Sequence, residues 1–493
     1  MSNNQQEIKT LGQLRASGYQ PRSVREELRA NLIEALKAQQ AVFSGIHGYE
    51  HSVIPELERA ILSMHHINLL GLRGQAKTMM ARMMVNLLDE YVPVLVGSEL
   101  NEDPLWPITS AAKRIIEEQG DEAPIRWMHR SARFYEKLAT PDVSVADLIG
   151  DVDPIKAANL KLSYADERVI HFGMVPRAHR GIFVINELPD LQPRIQVALF
   201  NILQEGDIQI RGFQLRLPVD VQFVFTANPE DYTQRGAIVT PLKDRIGSQI
   251  LTHYPEEVEV AMQITRQEAK LNAWQKSNIH VPPVAALLLE QISFEARSSE
   301  FIDAKSGVSA RLSVSAFENL MSTAERRALL NDEEKTSLRL MDFQGVIPSI
   351  TGKVELVYEG EQQGSIAVAE RLMGEAIKKL YPNYFPPLDK LKSSDERNPY
   401  QGVMNWFSQG THLDLAFDMA DEDYQQELEN CAPLKHFLQS HAPADLVEGD
   451  RHFMMEFILW ALAEHAKLNR DKLLDGMEFS DLFGSYLRGL QED

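Results

Sequence analysis

The chain has 493 residues, too many for one apolar core, so several domains are expected. Hydrophobic residues make up 44% and charged residues 25%, a balance that excludes a disordered chain. A net charge of −21 with no basic run opposes binding to nucleic-acid phosphates, and a single cysteine, Cys431, excludes an intrachain disulfide and a multi-cysteine metal site.

The opening MSNNQQEIKT lacks the basic-then-apolar order of a signal peptide. The longest apolar stretch, Phe453 to Ala463, is interrupted by Glu456 and falls short of the roughly 20 residues that a membrane span needs. A cytoplasmic protein without membrane insertion is expected. In VREELRANLIEALKAQQ, Val24, Leu28, Leu32 and Leu36 recur at helical spacing, which predicts a helical lead over residues 1–40. A glycine-punctuated loop, Gly45-Ile46-His47-Gly48, leads to a second amphipathic helix near Ile54 to Leu62, with Pro55 close to its start.

From Ile67 to Ile250 strand, loop and helix alternate. Short apolar runs at Ile67 to Leu70, Val92 to Val96, Gly181 to Ile185 and Val221 to Thr226 read as buried strands of a parallel sheet, in an α/β core spanning residues 41–252. The stretch from Asn101 to Leu160 is too long for a bare connection and must hold helices of its own. After Tyr254 helical patterns near Glu256 to Leu271, Val284 to Arg297 and Ser309 to Leu330 predict a helical domain over residues 253–385. The proline-rich YPNYFPP then precedes an acidic, mostly helical extension over residues 386–493. The adjacent His65 and His66 point to opposite faces if they lie on a strand, and they read as packing residues rather than metal ligands.

The strongest local signal is INLLGLRGQAKTMMARMM. A strand runs into Gly71, Leu72, Arg73, Gly74, Gln75, Ala76, Lys77 and Thr78, and then into a helix carrying Met80, Met83, Met84 and Leu87. This approximates G-x-x-x-x-G-K-[ST], with Ala76 at the second glycine. Such a loop turns backbone N–H groups toward phosphates, a lysine reaches the β- and γ-phosphates, and a hydroxyl holds Mg²⁺. The methyl group of Ala76 fits if its φ stays negative. Two further strands end in fitting chemistry. GIFVINELPDL closes on Asn186-Glu187, where a carboxylate can polarise an attacking water, and VQFVFTANPED closes on Asn228, whose amide can hold the same water. Taken singly, Glu187 is equally a turn-starting acid, and Asn228 before Pro229 is equally a stop signal.

Together these residues resemble the AAA+ family, in the branch that holds MoxR proteins and the magnesium-chelatase ATPase subunit, over roughly Ile46 to Leu330. GLRGQAKT resembles its Walker A, FVINE its Walker B, and TANPED its sensor 1 segment. PRAHRG before FVINE is similar to a stretch usual in this branch, and DLIGDVDP resembles the start of its helix-2 insert. EGDIQIRGFQLRLP resembles the pre-sensor hairpin, and the alternation of Ile208 and Ile210, then Leu215 and Leu217, around Arg211-Gly212 supports a hairpin independently. PLKDRIG resembles the family's arginine-finger motif, which implies that role for Arg245; GVSARL resembles the sensor 2 helix start, which implies Arg311 as the second arginine with Ser309 as helix cap; and Gly45 to Tyr49, including Ile46 and His47, resembles the adenine-packing segment.

The resemblance implies an AAA+ α/β core with a helical lid, binding ATP and Mg²⁺ (through Thr78 and Asn186). It also implies a homo-oligomeric, hexameric ring and a partner with a von Willebrand A domain. Asn186 stands where the branch carries a Walker B aspartate, so weaker metal binding and slower hydrolysis are expected. A magnesium-chelatase subunit and a nucleotide-binding scaffold with weak turnover are the alternatives.

Overall fold

The computed structural model describes residues 7–163, 166–210, 216–229, 237–388, 398–442 and 446–482. The chain forms two compact units, Met1–Tyr254 and Pro255–Asp493. The first is built on a five-stranded sheet of β1 (Ile67–Leu70), β2 (Phe134–Leu138), β3 (Gly181–Asn186), β4 (Val221–Ala227) and β5 (Ser248–Leu251). Their spatial order is β5-β1-β4-β3-β2, and every neighbouring pair is parallel. β3 and β4 are buried along their whole length, which is why they read as continuous apolar runs.

Side chains alternate between two cores. Phe183, Ile185, Phe223 and Phe225 join one cluster with Ile195, Leu199, Ile202 and Leu203. Ile182, Val184 and Val224 join the other with the helices α1 (Val24–Lys37), α2 (Val53–Leu62) and α3 (Lys77–Met83). The sheet is thus covered on both faces, as a parallel sheet requires.

Three strands differ from the sequence expectation. The run Val92 to Val96 forms Tyr91–Leu95, which pairs antiparallel with Ile125–His129 outside the central sheet. Pro93 lacks the N–H that a central position would use, so this strand sits in a two-stranded ribbon. The sheet edges are instead β2 and β5, which the apolar pattern did not mark. FYEKL is polar and partly exposed because it is an edge. The long connection does hold a helix, Ser110–Gln119, and DLIGDVDP contributes the strand Gly150–Val152, paired antiparallel with Ile170–Phe172. The expected hairpin is present as Asp207–Gln209 against Arg216–Pro218; Arg211, Gly212 and Leu215 lie outside the described residues, as do Glu230, Asp231 and residues 1–6.

α1 begins in a capping box of Ser23 and Glu26 and buries Val24, Leu28 and Leu32. Leu36, the fourth periodic residue, is exposed. The helix is locked to the sheet by charge: Arg133, next to β2, donates to both carboxylate oxygens of Glu27 at 2.7 and 2.6 Å, and both side chains are buried. Glu27 also accepts the Asp89 N–H at 2.6 Å, and Arg133 Nε donates to the Arg180 carbonyl at 2.7 Å.

The second unit packs the helices Val258–Glu268, Pro283–Ser298, Arg311–Leu330, Ser365–Leu380 and Glu448–Glu464 with a three-stranded antiparallel sheet whose middle strand is Gly476–Ser480. One apolar cluster runs through it from Ile279 to Phe479. The greasy stretch around Phe453 is explained there, since Met455, Phe457, Ile458 and Trp460 all enter this cluster. Glu456 is buried among them, its carboxyl pushed up to about 7 by desolvation while it accepts from Tyr424, Trp460 and the Leu340 N–H. Among the described residues no helix is long and apolar enough to cross a membrane.

Replacing Arg133 with Met should strand the Glu27 carboxylate in the interior. A loss of about 3–5 kcal/mol is expected in denaturant unfolding of the first unit, and a loss below 1 kcal/mol would show that the pair is solvated in practice.

Candidate functional site

The register brings the strand ends to one edge. Leu70 of β1 lies opposite Ala227 of β4 and Leu251 of β5, Phe225 lies opposite Ile185, and Leu138 lies opposite Asn186. Chain segments leaving β1, β3 and β4 therefore begin at the same rim, the place where open parallel sheets bind ligands.

The loop after β1 is tied down by its neighbours. The Gly71 N–H donates to Ala227 O at 3.1 Å, and the Thr252 N–H to Leu70 O at 2.9 Å. A Cβ on Gly71 would lie 1.9 Å from Thr252 Oγ1 and 2.2 Å from Gln75 Oε1, so only glycine fits this packing. Thr252 donates to Gln75 Oε1 at 2.7 Å, and Tyr254 donates to Arg73 O at 2.9 Å. The Tyr49 hydroxyl bridges His253 O at 2.6 Å and Gln75 O at 3.2 Å. Burial pushes the Tyr49 phenol up, so it remains a neutral donor. Tyr49 thus brings the Gly45–Tyr49 segment against the loop; Ile46 is buried in the core beside it, and His47 is partly buried.

Lys77 opens α3, and its ammonium donates to the loop's own carbonyls, Gly71 O and Leu72 O, the latter at 2.7 Å. Thr78 Oγ1 donates to Asn186 Oδ1 at 3.2 Å. Thr226 Oγ1 donates to the same oxygen at 3.1 Å and accepts the Glu187 N–H at 3.1 Å. The hydroxyl after the lysine, the amide ending β3 and the backbone of Glu187 are therefore linked through four consecutive groups. Asn228 follows β4 at the same rim and is buried.

Backbone strain marks two of these positions. Glu187 is left-handed at φ +55, a cost for a residue with a Cβ and one that recurs where geometry must be held. Ala76 is also left-handed at φ +53, which corrects the expectation of a negative φ. The turn from loop into α3 needs a left-handed residue, and the replacement of glycine by alanine did not change that requirement.

The two arginines lie at helix ends. Arg245 ends the helix Thr240–Arg245, where it donates to Gln204 Oε1 at 3.0 Å and Pro241 O at 2.8 Å, with its guanidinium 5.1 Å from the Phe200 ring centre. None of these partners belongs to the Gly71–Thr78 loop. Arg311 opens the helix Arg311–Leu330 of the second unit, with its N–H donating to Ser309 Oγ at 3.2 Å. His66 is buried and accepts the Phe223 N–H at 3.2 Å; desolvation lowers its pKa to about 3, so it stays a neutral packing residue. Among the described residues no cluster of three metal-ligating His, Cys, Asp or Glu side chains occurs.

Three residues at this rim escaped the sequence reading as site residues: Thr226, Glu136 and Arg82. Thr226 carried a signal, a lone hydroxyl in a buried apolar strand. Glu136 and Arg82 carried none, because their contacts cross between distant elements.

Residues 160–247 match the family model of the Sigma-54 interaction domain. Over 147 residues the chain is 26% identical to the magnesium-chelatase 38 kDa subunit of Cereibacter sphaeroides, covering 29% of this chain and 43% of that one. Over 127 residues it is 29% identical to the hydrogenase transcriptional regulatory protein HoxA of Cupriavidus necator, covering 25% and 23%. The chain thus spans less than half the length of the curated relatives it matches. A solved complex of magnesium-chelatase subunits BchI and BchD is similar at 17% identity, covering 65% of this chain and 98% of that one, with a loose TM-score of 0.35. The matched segment and the curated relatives support a core related to the Sigma-54 interaction domain and to the magnesium-chelatase subunits.

Ala76→Gly should release strain of about 1 kcal/mol and raise the thermal unfolding midpoint, the reverse of what glycine does at an ordinary helix position. A lowered midpoint would show that the left-handed turn is unstrained.

Proposed function

We propose that the chain is an ATP-hydrolysing AAA+ protein that works as a ring and remodels a partner protein. The observation that carries this reading is the linkage of Thr78, Asn186, Thr226 and Glu187 at the rim where the Gly71–Thr78 loop leaves β1. The loop's backbone N–H groups would cradle the phosphates, and Lys77 would exchange the loop carbonyls for the β- and γ-phosphates. Glu187 would orient and polarise the attacking water, with Asn228 holding that water from the adjacent strand end.

Mg²⁺ fits the donors present, which are hard oxygens: the Thr78 hydroxyl and the Asn186 amide oxygen. When bound with the nucleotide, the ion would neutralise charge on the β- and γ-oxygens. Among the described residues the hydrogen-bond and ring partners of Arg245 are Gln204, Pro241 and Phe200, outside its own chain's loop, which fits a finger reaching the nucleotide of a neighbouring subunit, and Arg311 is assigned as the second arginine on a lid built by residues 253–385. A hexameric ring of MoxR type with a von Willebrand A domain partner is the form suggested by the resemblance. A chelatase ATPase subunit driving Mg²⁺ insertion into a porphyrin is the second reading, favoured by the likeness to the 38 kDa subunit.

Lys77→Ala should abolish binding of a fluorescent ATP analogue, and Arg245→Ala should keep binding but slow phosphate release on the order of 10³-fold. Mixing the two variants should restore part of the turnover, since some interfaces then pair an intact loop with an intact arginine. Mixed samples as inactive as either variant alone would count against a shared site.

A further inference from the structure

Glu136 lies on β2, beside β3, opposite Val184 and two residues before the partner of Asn186. Side chains two apart share a face, so Glu136 and Asn186 rise on the same side of the sheet. Glu136 Oε1 accepts a 2.6 Å hydrogen bond from Asn186 Nδ2. A carboxylate only accepts, so this contact dictates which way the amide lies. The nitrogen faces Glu136, and the oxygen faces the Thr78 and Thr226 hydroxyls at 3.2 and 3.1 Å.

Arg82, one helical turn beyond Thr78, also grips the carboxylate, donating to Oε2 at 2.9 Å and to Oε1 at 3.1 Å. The Arg82 side chain is 62% exposed, whereas the Glu136 side chain is 23% exposed, so the pair sits at the edge of solvent. Arg82 therefore fixes the rotamer of Glu136, and solvent at the exposed arginine screens the pair.

We propose that Glu136 is a positioning residue that supplies, from the neighbouring strand, the negative charge missing at Asn186. It holds the Asn186 carbonyl toward the Thr78 hydroxyl and polarises that amide, so the two side chains together do for Mg²⁺ what one aspartate does in the resembled branch. This inference rests on the nucleotide-binding reading above and adds a residue to it.

The test is a Mg²⁺ titration of the affinity for a fluorescent ATP analogue, with the full chain and a Mg²⁺-free baseline. Glu136→Gln should leave the Mg²⁺-free affinity unchanged and weaken the apparent Mg²⁺ affinity about tenfold, the scale of one hydrogen bond to a charged group. The charge swap Glu136→Gln with Asn186→Asp should recover it, because the glutamine amide can donate to the new carboxylate. An unchanged Mg²⁺ dependence in Glu136→Gln overturns the proposal. So does a loss that the swap fails to restore, since Glu136 would then serve the fold rather than the charge. If Glu136→Gln alone does not fold, the swap is compared directly with wild type, and a swap weaker than wild type by tenfold overturns it equally. Wild type that binds no nucleotide, or Lys77→Ala that binds as well as wild type, would remove the underlying reading instead.

Discussion

A carboxamide buried at the end of a strand has to be answered at both of its ends, because an unpaired polar group there costs more than the hydrogen bond returns. Asn186 meets this demand by reaching three elements at once: Thr78 on α3, Thr226 on β4 and Glu136 on β2. The remaining geometry of the rim depends on it. If β3 slipped by one residue against either neighbour, the amide would turn to the other face and every one of these contacts would be lost. The parallel register, with Leu70 level with Ala227 and Phe225 level with Ile185, is what holds the chemistry-bearing side chains at one edge.

The loop below α3 shows how tightly such a rim is determined. Gly71 has no room for a Cβ against Thr252 and Gln75, and Tyr49 binds two carbonyls from separate segments. Ala76 and Glu187 are both held in left-handed backbone conformations. Strain of that kind persists only where surrounding contacts over-determine the chain. Here they come from β5, the segment before α2, and the end of β4.

Much of this was legible in the linear chain. β1, β3 and β4 announced themselves as short apolar runs, and each was followed directly by its polar residues, so Lys77, Thr78, Asn186, Glu187 and Asn228 stood in readable positions. α1 was legible from the spacing of Val24, Leu28 and Leu32. β2 was not, because an edge strand carries Glu136 and Lys137 where an interior strand would carry valine. The run with Pro93 was read as part of the sheet because apolar composition does not report which neighbour a strand pairs with.

Local pattern by itself determined where strands end, where the phosphate-type loop begins and which face of α1 is apolar, since those follow from residue type and spacing of 2 or 3.6. Only tertiary structure decided what lies across from each of them. The strand order, the pairing of Glu27 with Arg133, the left-handed φ of Ala76 and the approach of Glu136 to Asn186 all join residues far apart in the chain or set by their surroundings. Nothing in either partner's neighbourhood encodes such a contact, because its energy exists only once both are removed from water and placed side by side.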